Sequence, residues 1–114
     1  MVFSVPIKNN YEFRRLYAKG KSAGTSRIVI YCRRNNSSGN RLGITVSTKI
    51  GKAVHRNRIR RRLREIYRLN EPKIKEGFDL VVVARTRSRY SEYRELEEDF
   101  LELTGKLGIM RQRT

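Results

Sequence analysis

The segment from Lys49 to Arg68 constrains the fold more than any other part of the chain. Nine of its side chains are basic and one, that of Glu65, is acidic. Its apolar residues fall on one narrow stripe of a helix spanning His55–Asn70, which consists of Ile59, Leu63, Ile66, Tyr67 and Asn70. Such a helix packs onto a core by that stripe alone and leaves most of its circumference outside.

The anion that best fits this basic surface is the phosphate backbone of a nucleic acid. So many fixed positive charges repel one another unless an anion neutralises them. Arginine donates paired hydrogen bonds to phosphate oxygens and stacks on bases. A merely solvated charged helix would alternate Arg with Glu four residues apart, and here Glu65 alone could serve. We therefore predict that this helix binds nucleic acid.

Length and composition restrict the class of protein. With 114 residues and a formal net charge of +16, we expect one RNA-binding domain over residues 1–114. The single cysteine, Cys32, excludes an internal disulfide and favours the reducing cytoplasm. We expect no membrane partner, because no apolar run approaches the roughly 18–20 residues that span a bilayer, and Met1–Pro6 is too short for a signal peptide. Without a glycine-rich phosphate loop or nucleophile motif, we predict no small-molecule substrate and no catalytic residue.

The strand pattern predicts a small sheet. Residues 27–33 and 41–47 alternate between apolar and polar positions, and the Asn- and Ser-rich stretch 35–40 between them is typical of a turn, so we expect an antiparallel hairpin. The continuous apolar run 78–84 indicates a strand buried on both faces. Strand 41–48, helix 55–69 and strand 78–84 would then form a βαβ-like unit.

Two further helices are predicted. Asn9 as N-cap and Gly20 as stop signal bound a helix near 10–18. A last helix is expected near 91–106, with Ser91 as its N-cap. Its core stripe would be Tyr93, Leu96, Phe100, Leu103 and Leu107.

Aromatic residues suggest a groove for a single strand. Phe13 and Tyr17 share a helix face, and Val29 and Tyr31 share a strand face with two arginines. Bases of single-stranded nucleic acid stack on aromatic side chains within a positive groove. The alternative is that Phe13 and Tyr17 anchor the first helix to the core, as aromatic residues at this spacing usually do.

Other chemical groups carry weaker hypotheses. The lone His55 is better explained as a residue at a helix start than as a metal ligand or acid–base group, since both usually need partners. Cys32 is expected to be a small buried residue. Clustered carboxylates could hold Mg²⁺ for a nuclease, although a solvated face is the more ordinary explanation. These are Glu95, Glu98, Asp99 and Glu102.

The stretch from Arg41 to Glu65 resembles the signature of the bacterial ribonuclease P protein subunit. Its core is Gly51-Lys52-Ala53-Val54, then Arg56-Asn57-Arg58, then Arg60-Arg61 and Arg64. The resemblance extends to the motif around Phe13 and Tyr17, to Val29-Ile30-Tyr31 and to 82–85. The chain departs from the family pattern in having Thr25-Ser26 where Asn-Arg is usual, and no proline after Arg85.

This resemblance implies a fold and a role. The fold would be an α+β two-layer sandwich, in which a small mixed four-stranded sheet and three helices include a left-handed βαβ crossover, although such crossovers are generally right-handed. The protein would assist a catalytic RNA subunit that, with Mg²⁺ held by RNA and substrate, removes the 5′ leader of precursor tRNA. The residues that match the RNA-facing motif are Arg56, Asn57, Arg58, Arg60, Arg61 and Arg64. From the charge of the same segment we add Lys49, Lys52 and Arg68 to the residues predicted to bind the catalytic RNA. Those that match the positions lining the leader cleft are Phe13, Tyr17, Val29 and Tyr31. Strand alternation adds Arg27 and Arg33 to the predicted cleft.

Three other functions share part of this pattern. A ribosomal or ribosome-assembly protein has similar size and charge. A stand-alone metal nuclease would use the carboxylates of 95–102 and cut without an RNA partner. A sequence-specific DNA-binding basic helix fits less well, because the heptads of a zipper partner are absent.

Overall fold

The protein, seen in a computed structural model, is described over residues 4–7 and 9–111, so part of Met1–Pro6 lies outside the described residues. Five strands and three helices occur in this part of the chain. In chain order they are β1 (Ser4–Pro6), α1 (Asn10–Lys19), β2 (Lys21–Gly24), β3 (Ile28–Arg34), β4 (Asn40–Val46), α2 (Ala53–Asn70), β5 (Phe78–Ala84) and α3 (Tyr93–Lys106). Short 3-10 turns lie at Thr48–Ile50, Glu71–Lys73 and Thr86–Tyr90.

The strands form one mixed sheet in the order β1-β4-β5-β3-β2. β4 is parallel to both β1 and β5, whereas β3 is antiparallel to β5 and β2. The predicted α+β class, three helices and βαβ unit are confirmed. The described sheet has five strands where four were predicted: β3, β4 and β5, which the sequence pattern located, and the short edge strands β1 and β2. The left-handed sense of the crossover stays a prediction.

The predicted hairpin between β3 and β4 is wrong. β5 lies between these two strands and pairs with both, in the registers Tyr31↔Val81 and Gly43↔Val81. The continuous apolar run of β5 explains this placement, because a strand that is apolar on both faces is best buried at the centre of a sheet. The turn at 35–40 therefore connects strands that are not neighbours.

The core lies between one face of the sheet and the helices α2 and α3. The predicted stripe of α2 is buried, and Leu96, Phe100 and Leu103 of α3 are each no more than 1% exposed. Alternation in β3 places Ile28, Ile30 and Cys32 on this face, as predicted. Burial raises the pKa of the Cys32 thiol, so the side chain remains a neutral thiol at neutral pH.

The helix boundaries follow their capping residues. Asn9 caps α1 by accepting the Tyr11 N–H at 2.9 Å, and Gly20 ends it, as predicted. The predicted cap of α3 is wrong: Glu92 is the N-cap, and its N–H donates to Glu95 Oε1 at 2.9 Å. Ser91 does not cap the helix because its hydroxyl donates to the carbonyl of Arg87.

The opposite face of the sheet is covered in part by α1. Leu16 packs there with Ile7 and Val81 in a second apolar cluster, against which Phe13 is half-buried. Beyond α1, Val29, Thr45 and Val83 on this face are partly exposed. Among the described helices, none combines the length and apolar composition that crossing a membrane requires.

Candidate RNA interface

The basic surface of α2 forms because the apolar stripe fixes which side of the helix faces the core. Ile59, Leu63 and Ile66 are each at most 3% exposed, so the arginines between them are directed outward. We call the nine residues predicted to face RNA the α2 surface. They are Lys49, Lys52, Arg56, Asn57, Arg58, Arg60, Arg61, Arg64 and Arg68. All lie on α2 or just before it.

Several members of the α2 surface have partners within the protein. Arg68 pairs with Glu65 at 2.6 Å, a contact that lowers the pKa of Glu65 through the hydrogen bond between them. Arg60 donates to Asn57 Oδ1 at 3.3 Å. Arg56 donates to the carbonyl of Gly51 at 3.2 Å and so fixes the turn that leads into the helix.

The other members are free to bind an external anion. All five are exposed, and within residues 4–7 and 9–111 their side chains form no ion pair or hydrogen bond. They are Lys49, Lys52, Arg58, Arg61 and Arg64. An exposed cation without a carboxylate partner gives up little when it binds a phosphate, so these side chains are the strongest candidates for backbone contacts.

His55 lies at the start of α2 and contacts Arg89. Its Nε2 is 3.3 Å from Arg89 Nη2. Partial burial and then the positive charges of Arg89, Arg58 and Lys52 lower the pKa of His55. The imidazole is therefore neutral at neutral pH, with Nε2 able to accept from the guanidinium.

On the opposite face of the sheet, two tyrosines meet at the edge of α1. The rings of Tyr17 and Tyr31 are 4.9 Å apart and pack edge to face. The hydroxyl of Tyr17 is 3.0 Å from Oγ1 of Thr45, so α1 is tied to β3 and β4 by one side chain. Tyr17 remains 39% exposed, which leaves part of its ring available for stacking.

The sheet beside these tyrosines carries small and medium side chains in register. Val29 pairs with Val83, which in turn pairs with Thr45 across β5 and β4. Their side chains are partly exposed because α1 ends short of this row. We call Tyr17, Val29, Tyr31, Thr45 and Val83 the α1 groove. An open apolar floor with aromatic rings at its edge is the arrangement that single-stranded bases require.

Both sequence interpretations of the aromatic pair apply, one to each ring. Phe13 anchors α1 to the sheet, because its ring packs over Gly43 and against the cluster of Ile7, Leu16 and Val81. The centroid of its ring lies 6.4 Å from that of Tyr17. Tyr17 points to the open row and belongs to the groove. The structure thus brings together Tyr17, Val29 and Tyr31 as predicted and places Phe13 at the inner end.

Arg27 does not lie in the groove. Its guanidinium donates to Glu95 at 2.6 Å and to Asp99 at 3.2 Å, on α3 at the other face of the sheet. The cause is a local turn: Thr25 Oγ1 accepts the N–H groups of Arg27 and Ile28, and β3 begins only at Ile28. The alternation that the prediction extended to Arg27 therefore starts one residue later.

Arg33 lies on the groove face but at its far end. Its strand neighbour is Asp79, in register beside Arg41. Arg33 lines a cavity of about 260 Å³ with Arg15 and Glu12 of α1. It follows Tyr31 by two residues on the same face of β3, at the end away from Val29.

Arg85 was not among the residues predicted to line the leader cleft. It takes the place on the groove face where Arg27 was expected. It follows Val83 by two residues, and alternation along β5 places it on the groove face. Its guanidinium donates to the carbonyl of Thr25 at 3.1 Å and is otherwise exposed. Extending the alternation past the apolar run would have identified it.

The carboxylates of α3 act as partners for basic groups. Asp99 accepts from Arg27 and from Thr25 Oγ1 at 2.8 Å, and Glu102 pairs with Lys106 at 3.2 Å. Among residues 4–7 and 9–111, no three His, Cys, Asp or Glu side chains are grouped so as to hold a metal ion. The nuclease alternative is weakened, because Arg27 already binds both Glu95 and Asp99.

Comparison with known proteins identifies the family. The family described as Ribonuclease P matches residues 4–108. The ribonuclease P protein component of Natranaerobius thermophilus is 40% identical over 95% of this chain and 94% of its own, and that of Clostridium botulinum (strain Loch Maree) is 44% identical over 90% and 94%.

Solved structures agree with the sequence comparison. The ribonuclease P protein of Staphylococcus aureus superposes with a TM-score of 0.85 at 31% identity, covering 93% of this chain and 97% of that one. The Thermotoga maritima protein gives a TM-score of 0.78 at 33% identity over 85% and 92%. By sequence, by fold and by the order of its basic helix and strands, this chain belongs to the ribonuclease P protein family.

Proposed function

We propose that this chain acts in ribonuclease P by binding two RNAs on two separate surfaces. Ribonuclease P is an endoribonuclease holoenzyme that removes the 5′ leader of precursor tRNA, and its protein component assists a cut made by RNA. In this proposal the α2 surface binds the catalytic RNA and the α1 groove binds the leader. The α1 groove lies on the sheet face opposite the one on which α2 packs, so both surfaces can be occupied together. They approach each other at the β4 edge, where Arg60, Arg64 and Arg68 line one cavity with Phe13.

The unpaired cations support the assignment of the α2 surface. Arg58, Arg61 and Arg64 are exposed on one helix and have no carboxylate partner in the described part of the chain. Their charge reduces the repulsion between catalytic RNA and substrate, which are both polyanions. This role needs phosphate contacts and no base-specific ones.

The open tyrosine edge supports the assignment of the α1 groove. Tyr17 and Tyr31 present ring surface beside the floor of Val29 and Val83. A leader is single-stranded, so its bases are free to stack there. Mature tRNA lacks the leader and gains nothing from this groove, which would make the protein favour precursor over product.

We place the Mg²⁺ ions with the RNA subunit and the substrate. Phosphate oxygens are the ligands that Mg²⁺ usually takes in phosphoryl transfer, and the α3 carboxylates are already paired with basic side chains. The working compartment in this proposal is the cytoplasm, in keeping with one buried thiol and no disulfide.

One observation carries the proposal. In a member of this family, α2 presents exposed arginines without carboxylate partners among the described residues, and the α1 groove on the other face of the sheet is bordered by two tyrosines. The test is reconstitution at low Mg²⁺. Adding the chain to bare bacterial ribonuclease P RNA should restore cleavage of precursor tRNA at the mature 5′ end, and the protein alone should cut nothing.

The alternatives give different outcomes in the same assay. A ribosomal or ribosome-assembly protein would leave the low-Mg²⁺ reaction unchanged. A metal nuclease would cut the precursor without any RNA partner, and a Glu95→Gln/Asp99→Asn variant would abolish that activity. Either result would contradict the proposed function.

A further inference from the structure

The 3-10 turn Thr86–Tyr90 is fixed against the start of α2. Arg89 donates to the carbonyl of Ile50 at 3.3 Å and contacts His55 Nε2 at the same distance. From the helix, Arg62 donates to the carbonyl of Ser91 at 3.1 Å. The turn is therefore held at both sides, and the side chain between these contacts, Tyr90, has a defined position.

Gly51 makes this close approach possible. Its φ of 150° belongs to a region that L side chains rarely adopt, and a Cβ there would lie 3.0 Å from Arg89 Nη1. The glycine thus allows Arg89 to enter between the turn at 48–50 and the imidazole of His55.

Tyr90 is the most exposed large hydrophobic residue among those described, at 77%. One face of its ring is covered by the Arg89 guanidinium, whose carbon lies 5.4 Å from the ring centroid. A tyrosine in this position contributes little burial to stability. Its ring is nevertheless oriented by an arginine that is itself bonded to Ile50 and His55, leaving the second face of the ring to solvent.

The charge around Tyr90 selects a polyanion as its partner. Arg87 lies on the same turn, and Lys52 and Arg58 lie on the neighbouring end of α2. The nearest acid in sequence, Glu92, is engaged in capping α3. An aromatic face among cations matches a nucleotide, which offers a flat base and a phosphate together.

We propose that Tyr90, backed by Arg89, is a stacking site for an unpaired nucleotide of the RNA that binds the α2 surface. This inference rests on the proposed function but concerns residues outside both predicted sets. The site is on the α2 side of the sheet, away from the tyrosines of the α1 groove, so it would contact the catalytic RNA and leave the leader untouched.

The chain contains no tryptophan, so a Tyr90→Trp variant carries a single fluorescent reporter. Titration with bacterial ribonuclease P RNA should quench its emission, because a stacked base quenches indole fluorescence. Heparin, a polyanion without bases, should bind without comparable quenching. Equal quenching by heparin, or none with the RNA, would overturn the stacking proposal.

Affinity measurements with unlabelled variants provide the second test. Tyr90→Ala should weaken binding to ribonuclease P RNA by about 5- to 150-fold, the range expected for loss of one stacked base. Tyr90→Phe keeps the ring and should bind within about twofold of the original chain. Since Tyr90 is exposed, the thermal midpoint of Tyr90→Ala should be unchanged, which excludes misfolding as the cause.

Failure of this inference and failure of the proposed function are distinguishable. If only the inference is wrong, the original chain promotes cleavage at low Mg²⁺ and Tyr90→Ala binds the catalytic RNA equally well. If the function is wrong, the original chain itself does not promote cleavage. When both hold, Tyr90→Ala lowers affinity for the catalytic RNA while the ratio of precursor to mature tRNA affinity stays constant.

Discussion

The ring of Phe13 lies directly over Gly43, so closely that a Cβ on residue 43 would be 2.6 Å from Phe13 Cε1 and 2.7 Å from Cζ. This contact sets the distance between α1 and β4. Because Tyr17 lies one turn further along α1, it also sets the position of the tyrosine that borders the α1 groove.

We therefore expect Gly43→Ala to destabilise the fold by about 1–3 kcal/mol, the usual cost of adding a methyl group to a packed site. Displacing Phe13 would also shift Tyr17 and reduce affinity for a leader oligonucleotide. Urea unfolding and leader titration measure the two effects.

Gly105 provides a matched control for this substitution. It lies in α3 and is exposed, and a Cβ added there would have no other atom within 4 Å. Gly105→Ala should stabilise the protein by about 0.5–1 kcal/mol through helix propensity, with unchanged leader affinity. Destabilisation of equal size at both positions would contradict the packing explanation for Gly43.

Tyr31 tests the leader assignment. Tyr31→Ala should weaken binding of precursor tRNA by about 1–3 kcal/mol while leaving mature tRNA binding unchanged, because stacking on this ring is available only to the leader. Tyr31→Phe retains the ring and should behave like the original chain. Equal losses for both substrates in Tyr31→Ala would contradict the leader groove.

The α2 surface should show its phosphate contacts in the salt dependence of binding. Log affinity should fall linearly with log salt, by about 0.7 per neutralised phosphate for single strands and about 0.9 for duplexes. Arg61→Ala should weaken binding and reduce the slope by about one contact, since Arg61 has no ion pair within the described residues.

Arg68→Ala is the matched control on the same helix. Arg68 is already paired with Glu65 at 2.6 Å, so its removal also releases a carboxylate near the RNA. We expect a smaller change in slope than for Arg61→Ala. Identical slopes for Arg61→Ala and the original chain would remove Arg61 from the set of phosphate contacts.

The sequence predicted the fold most accurately in elements where the periodicity of apolar residues alone determines which side chains are buried. The stripe of α2 and the alternation of β3 were sufficient to place Ile59 and Ile28 in the core, because burial of apolar side chains dominates those elements. Strand order was predicted wrongly, since the turn at 35–40 suggested local pairing whereas the doubly apolar β5 is best buried between β3 and β4.

The sequence predicted which types of residue form the candidate site better than it predicted the orientation of their side chains. The side chain of Arg27 turns to α3 because of a hydrogen-bonded turn at Thr25, and no periodicity reveals such a turn. Tyr90 and Arg89 lie in a 3-10 segment without a repeating pattern, and their relation to His55 arises only from tertiary packing. The residues missed are thus those positioned by contacts distant in sequence.

The Arg27 cluster also makes stability depend on pH. The pKa of Glu95 is lowered first by the N–H of Glu92 and then by the guanidinium of Arg27. A carboxylate whose pKa is lower in the folded state contributes stability above its unfolded pKa, about 4.3, and loses that contribution as the pH falls through the folded pKa.

The difference in thermal midpoint between the original chain and Glu95→Gln should therefore be largest near pH 6 and shrink towards zero below about pH 4. Glu98 gives the control, because its carboxylate is exposed and lies 4.0 Å from Arg94. Glu98→Gln should change stability at neutral pH by less than about 0.5 kcal/mol. A Glu95→Gln difference that stays constant from pH 3 to 6 would show that ionisation of Glu95 does not stabilise the fold.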